Sequence, residues 1–119
     1  MELYEVVFFK IKQTRYALSY DDILYMEKHA RTITVYTVSG EKYRFYGKYD
    51  EVEPMLDFRF THPHESFVIN MQQIYRLGKN EAIMFTGERI EMGNLCFGRL
   101  KKAYDAYIVE NIRSRPGMR

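Results

Sequence analysis

Apolar and polar positions alternate with a period of two through most of the first half of the chain, the pattern of half-buried strands. Val6 to Lys12 reads as a strand rich in Val and Phe, followed by a Gln13-Thr14 turn and by Arg15 to Ser19, where Tyr16 and Leu18 share a face. Ile23 to Glu27 is a third strand. Arg31 to Val38 and Glu41 to Tyr46 form the clearest hairpin, joined through Ser39-Gly40, where glycine takes positive φ without steric penalty. Ile33, Val35 and Thr37 share one face of the first arm, and Tyr43 and Phe45 alternate with Lys42 and Arg44 in the second. Ile33, Val35, Tyr43, Phe45, Phe67 and Ile69 are the predicted core.

The period changes at Lys48 to Asp57, where Tyr49, Val52, Met55 and Leu56 fall at helical spacing and Glu51 and Glu53 suit the early turns. Pro54 within this stretch predicts a short or kinked helix. Phe60 to Glu65 reads as a loop carrying two histidines, and it runs into an apolar strand, Ser66 to Asn70. Ile74 to Leu77, Ala82 to Thr86 and Glu88 to Met92 follow as strands, separated by the Gly78-Lys79-Asn80-Glu81 turn and by Gly87. A helix is predicted from about Asn94 to Arg113, with Phe97, Leu100, Tyr104, Tyr107 and Ile108 on its packed face. The chain thus divides into one domain, 1–113, and a polar, breaker-rich tail, 114–119, expected to fray. The fold class is mainly β with largely antiparallel pairing.

Composition sharpens this picture. Eleven Tyr and eight Phe without a Trp favour pleated surfaces. A net charge of +2 means that any nucleic-acid site must come from local clustering rather than bulk charge. Cys96 is the one cysteine, so no intrachain disulfide can form; a reducing cytoplasm is the expected compartment, and a buried, inert thiol is the expected role. The acidic opening Met1 to Glu5 lacks the basic segment of a signal peptide, and no apolar run is long enough to span a membrane. The chain has no phosphate-binding glycine loop, no nucleophile elbow and no helical His-Glu-x-x-His, and neither catalysis nor a cofactor is expected. His62 and His64, with His29 as a third donor, lack the carboxylate or cysteine that zinc sites add at fixed spacing, so no metal site is expected either.

Basic residues gather in three separate places: Lys28-His29-Ala30-Arg31, His62-Pro63-His64, and Asn94 through Arg99, Lys101 and Lys102. Each cluster alone reads as solvated surface. Their order, however, together with Asp22-Ile23-Leu24-Tyr25-Met26-Glu27, with Gly40-Glu41-Lys42-Tyr43-Arg44-Phe45-Tyr46-Gly47 and with Phe60…His64-Glu65-Ser66-Phe67-Val68-Ile69-Asn70, resembles the LytTR domain, a bacterial DNA-binding module usually attached to response regulators. The resemblance covers about Val6 to Tyr107. It implies an elongated arrangement of about ten short strands in small stacked sheets, with one short helix and a C-terminal helix. It also implies a cytoplasmic bacterial transcriptional regulator that binds double-stranded DNA at promoter direct repeats as two protomers, its loops inserted into successive major grooves. By position, Lys28, His29 and Arg31 match the family's basic loop, His64 its histidine, and Asn94 the entrance to the last helix, with Arg99, Lys101 and Lys102 expected on phosphates. A receiver domain in a longer parent protein is the usual companion. Asn70 is expected to be structural, satisfying backbone groups at a strand end.

The chain also departs from that pattern. Glu65 stands where the family has a basic or amide residue, Gly93-Asn94-Leu95 is uncharged where Arg or Lys is common, and His62 replaces a common Arg. Asn94 reads equally as a helix N-cap or as an adenine reader. These departures motivate a second expectation, a LytTR-like interaction module that has lost DNA affinity and modulates other regulators through a sheet edge and surface tyrosines such as Tyr20, Tyr36 and Tyr75.

Overall fold

In the computed structural model, which describes residues 5–114, the alternating segments form three antiparallel sheets. β1 (Val6–Ile11) and β2 (Thr14–Ser19) make a hairpin on their own. β3 (Ile23–His29), β4 (Thr32–Thr37), β5 (Lys42–Tyr46), β6 (Phe60–His64) and β7 (Phe67–Asn70) make a five-stranded sheet in the order β5-β4-β3-β7-β6. β8 (Ile74–Gly78), β9 (Glu81–Met84) and β10 (Arg89–Glu91) make the third. The elongated shape, 49 × 34 × 25 Å, follows from stacking small sheets rather than closing one barrel.

The five-stranded sheet is the middle layer, so its central strands are buried on both faces. One face packs Ile23, Met26, Ile33, Val35, Phe45 and Val68 against Val7 and Phe9 of the β1–β2 hairpin. The other packs Leu24, Tyr25 and Ile69 against Ala82, Met84 and Ile90 of the third sheet and Leu100 of the last helix. Four consecutive residues of β3, Ile23 to Met26, are therefore all buried, and a register shift between Ile23 and Tyr25 distributes them between the two cores. Each fully buried aliphatic side chain here contributes about 1.5–3 kcal/mol. Of the predicted core, Ile33, Val35, Phe45 and Ile69 are buried, while Tyr43 and Phe67 are half-buried against it.

Three local expectations are corrected. Phe60 to His64, read as a loop, is strand β6, and it lies at the sheet edge. Pro63 and the two histidines hide the alternation; an edge tolerates the missing N–H of Pro63, and the pairing with β7 slips between Thr61 and His64 to pass it. Tyr20, expected at the surface, is buried, with its hydroxyl donating to the Met55 carbonyl and its ring edge-on to Phe60. Ile108, expected on the packed face of the last helix, is exposed, and Ala103 packs against the core with Tyr104 and Tyr107 instead.

Helix α1 is as short as Pro54 demands: Tyr49–Val52, continued by a 3-10 turn over Glu53–Met55. Helix α2 spans Asn94–Ser114, burying Cys96 and Leu100, and packs beside β6 with Tyr107 next to Phe58. Ser114 is still helical; the rest of the predicted tail, 115–119, and the opening residues 1–4 lie outside the described residues. No described helix is long and apolar enough to cross a membrane.

Candidate nucleic-acid interface

The pairing of the five-stranded sheet decides which loops meet. β3 ends at His29, and β7, antiparallel to it, places Phe67 opposite Glu27. The Lys28 amide then donates to the Ser66 carbonyl at 2.7 Å, fastening the β3–β4 turn to the β6–β7 turn. On the other side Thr32 faces Tyr46, and the Gly47 amide donates to the Arg31 carbonyl at 3.1 Å. One end of the sheet thus carries Lys28, His29 and Arg31, flanked by His64 and Glu65 on one side and by Tyr46 and Lys48 on the other. The first two sequence clusters come together here.

The turn is held under strain. Ala30 adopts φ of 55°, the left-handed region that a Cβ disfavours, and the Lys28 ammonium donates to its carbonyl at 2.6 Å. That bond leaves the ammonium two further N–H donors. His29 and Arg31 are exposed, and among the described residues none of Lys28, Arg31 and Lys48 is ion-paired. Beneath the turns, the buried Tyr49 of α1 donates its hydroxyl to the Ser66 carbonyl at 2.9 Å, and burial raises the pKa of that phenol. Lys28, Arg31, Tyr46, Gly47, Lys48 and Glu51 line an open cavity of about 590 Å³ at this end. Glu51 accepts from the Lys48 amide at 3.1 Å.

The two histidines of β6 diverge. His64 Nδ1 accepts from the Ser66 amide at 3.1 Å, closing the β6–β7 turn, which leaves Nε2 as the ring nitrogen that can donate. His62 instead pairs with Glu53 and stands edge-on to the Tyr49 ring at 4.8 Å, which makes it part of the α1 packing. Among the described residues, no three His, Cys, Asp or Glu side chains are gathered as a metal would need.

The third cluster belongs to a different turn. Asn94 Oδ1 accepts from Asn80 Nδ2 at 2.5 Å, tying the start of α2 to the β8–β9 turn, where Lys79 and Asn80 both have positive φ. Because the Phe97 amide donates to the Gly93 carbonyl, Gly93 holds the cap position and Asn94 sits one residue inside; its expected N-cap role is not realised. Arg99, Lys101 and Lys102 are exposed along α2. Cys96 is buried, and burial pushes its thiol pKa up, the opposite of what a reactive cysteine needs.

Two members of the basic end escaped sequence reasoning. Tyr46, 83% exposed, looked like the continuation of an ordinary arm, and Lys48 like the first residue of a helix. The register of the β4–β5 hairpin was the available signal, since it returns Tyr46 to Thr32 and hence to Arg31.

Against known proteins, the model of the LytTR DNA-binding domain family matches residues 13–105. A solved LytTR DNA-binding domain, from a Bacillus cereus protein described as a methyl-accepting/DNA response regulator, shares the fold with a TM-score of 0.62. It is 19% identical, and the alignment covers 89% of this chain and 94% of that one. No curated protein matches.

Proposed function

Because the chain belongs to the LytTR DNA-binding domain family, we propose that it is a sequence-specific transcriptional regulator that reads promoter DNA with the turns at one end of its central sheet. The observation carrying this reading is the joining of the β3–β4 and β6–β7 turns into one exposed basic end whose cations have no ion-pair partner among the described residues. Arg31 and His29 are the base-reading side chains, His64 Nε2 supplies a third donor, and Lys28 holds the turn while facing phosphate. Asn94, steadied by Asn80, enters the duplex at a separate point, with Arg99, Lys101 and Lys102 on the phosphates nearby. Two protomers occupy a pair of direct repeats, in the cytoplasm of a bacterium, under a receiver domain of a longer parent protein. The domain needs no cofactor and performs no catalysis.

Glu65, exposed at the tip of the β6–β7 turn, favours a second reading, an interaction module that has given up DNA. One mobility-shift series on promoter fragments at low salt separates the two. Retardation by the parent chain, abolished by Arg31→Glu, supports the regulator. Binding gained only on Glu65→Arg supports the interaction module.

A further inference from the structure

We propose that the tip of the β1–β2 hairpin is an additional contact to the DNA backbone, in which Lys10, Lys12 and Arg44 take phosphates beside those reached from the Arg31 turn. This rests on the DNA-binding reading above and widens its footprint. Lys10, Lys12 and Arg44, with Ile11, Thr32, Phe45 and Tyr46, line an open cavity of about 560 Å³ that contains no carboxylate. Tyr46 also lines the neighbouring cavity of Lys28, Arg31 and Lys48, so its exposed ring stands between two adjoining basic hollows. The two are one surface.

The charges are arranged at a cost to the fold. Lys10 lies directly opposite Arg15 across the hairpin, a like-charge pair that opposes strand pairing, and Lys12 follows in the left-handed region at φ of 55°. Among the described residues none of Lys10, Lys12, Arg15 and Arg44 is ion-paired. A polyanion relieves that repulsion, and a duplex held at the Arg31 turn brings its phosphates alongside. The Tyr46 hydroxyl adds a neutral donor of the kind that reaches phosphate oxygens.

The test follows fluorescence anisotropy of a labelled promoter duplex against salt, comparing the parent with the triple variant Lys10→Gln, Lys12→Asn, Arg44→Gln. All three positions are exposed, and Asn tolerates the backbone of position 12, so circular dichroism should match the parent. Each lost phosphate contact lowers the magnitude of the log–log salt slope by about 0.9. The expected result is a slope reduced by roughly 2–3, with an unchanged ratio of affinities for the promoter and a scrambled duplex. A triple variant that keeps the parent's slope and affinity overturns this surface and leaves the DNA reading standing. A parent chain that binds no duplex at low salt overturns both.

Discussion

The two ends of the central sheet use the same kinds of residue to opposite effect. At one end Arg59 is neutralised: its guanidinium lies 3.1 Å from Asp57, 3.7 Å from Asp21 and 3.9 Å from Glu5, donates to Gln72 at 3.0 Å and covers the Tyr20 ring. Beside it the fully buried Asn70 donates to the carbonyls of Tyr20 and Ile23 at 3.1 and 2.8 Å and accepts from the Gln72 amide. At the other end Arg31 has no carboxylate partner among the described residues, and the turns are fastened by hydrogen bonds to backbone groups rather than by ion pairs. The Lys28 and Gly47 amides, the Lys28 ammonium and the Tyr49 hydroxyl donate to carbonyls, and His64 Nδ1 accepts from an amide. A cation that the fold satisfies holds the domain together. A cation that the fold leaves unsatisfied is available to a polyanion.

If this contrast is right, the largest effect lies at the closed end. Asn70→Ala removes one donor from each of two buried carbonyls and the acceptor of the Gln72 amide, and should destabilise the domain by roughly 2–4 kcal/mol in denaturant unfolding. A loss within about 0.5 kcal/mol would mean that Asn70 does not clasp the strands. Arg59→Ala removes a half-buried, multiply paired cation and should lose about 1–2 kcal/mol, because exposed carboxylates at its far contacts soften the effect.

Alkaline pH probes both ends at once. Burial raises the phenol pKa of Tyr20 at the closed end and of Tyr49 beneath the open one. Unfolded tyrosines ionise near pH 10 while these stay protonated, so the unfolded state binds fewer protons and stability falls as pH rises above about 10. Unfolding midpoints at pH 8 and pH 11 should show the drop, and Tyr49→Phe should reduce it. The smallest effect belongs to Glu65→Gln, which removes an exposed negative charge from the open end and should tighten DNA binding a few-fold without altering stability. Unchanged binding would remove Glu65 from the interface.

Sequence periodicity reports which side of a strand is buried, and it found the strands of the described chain except β6, where Pro63 and the two histidines erase alternation. It did not report which turns meet. The joining of Lys28 to Ser66, the return of Tyr46 and Lys48 to Arg31, and the capture of Asn94 by Asn80 all depend on long-range register. Tyr20 was misread as surface because its polar flank, Ser19 and Asp21, hides a ring that turns inward over Phe60. Asn70 was legible as structural because a polar residue closing an apolar strand must find partners. The separation of His62 from His64 was not legible, since it follows from the pairing slip of an edge strand.

The contrast between the ends is tested most directly by the salt dependence of promoter binding for Arg31→Ala and Arg59→Ala, measured side by side where both variants are folded. Arg31→Ala should weaken binding by about 1–3 kcal/mol and lower promoter preference, whereas Arg59→Ala should keep the parent's slope and preference. Equal losses in the two variants, or a loss confined to Arg59→Ala, would contradict the contrast.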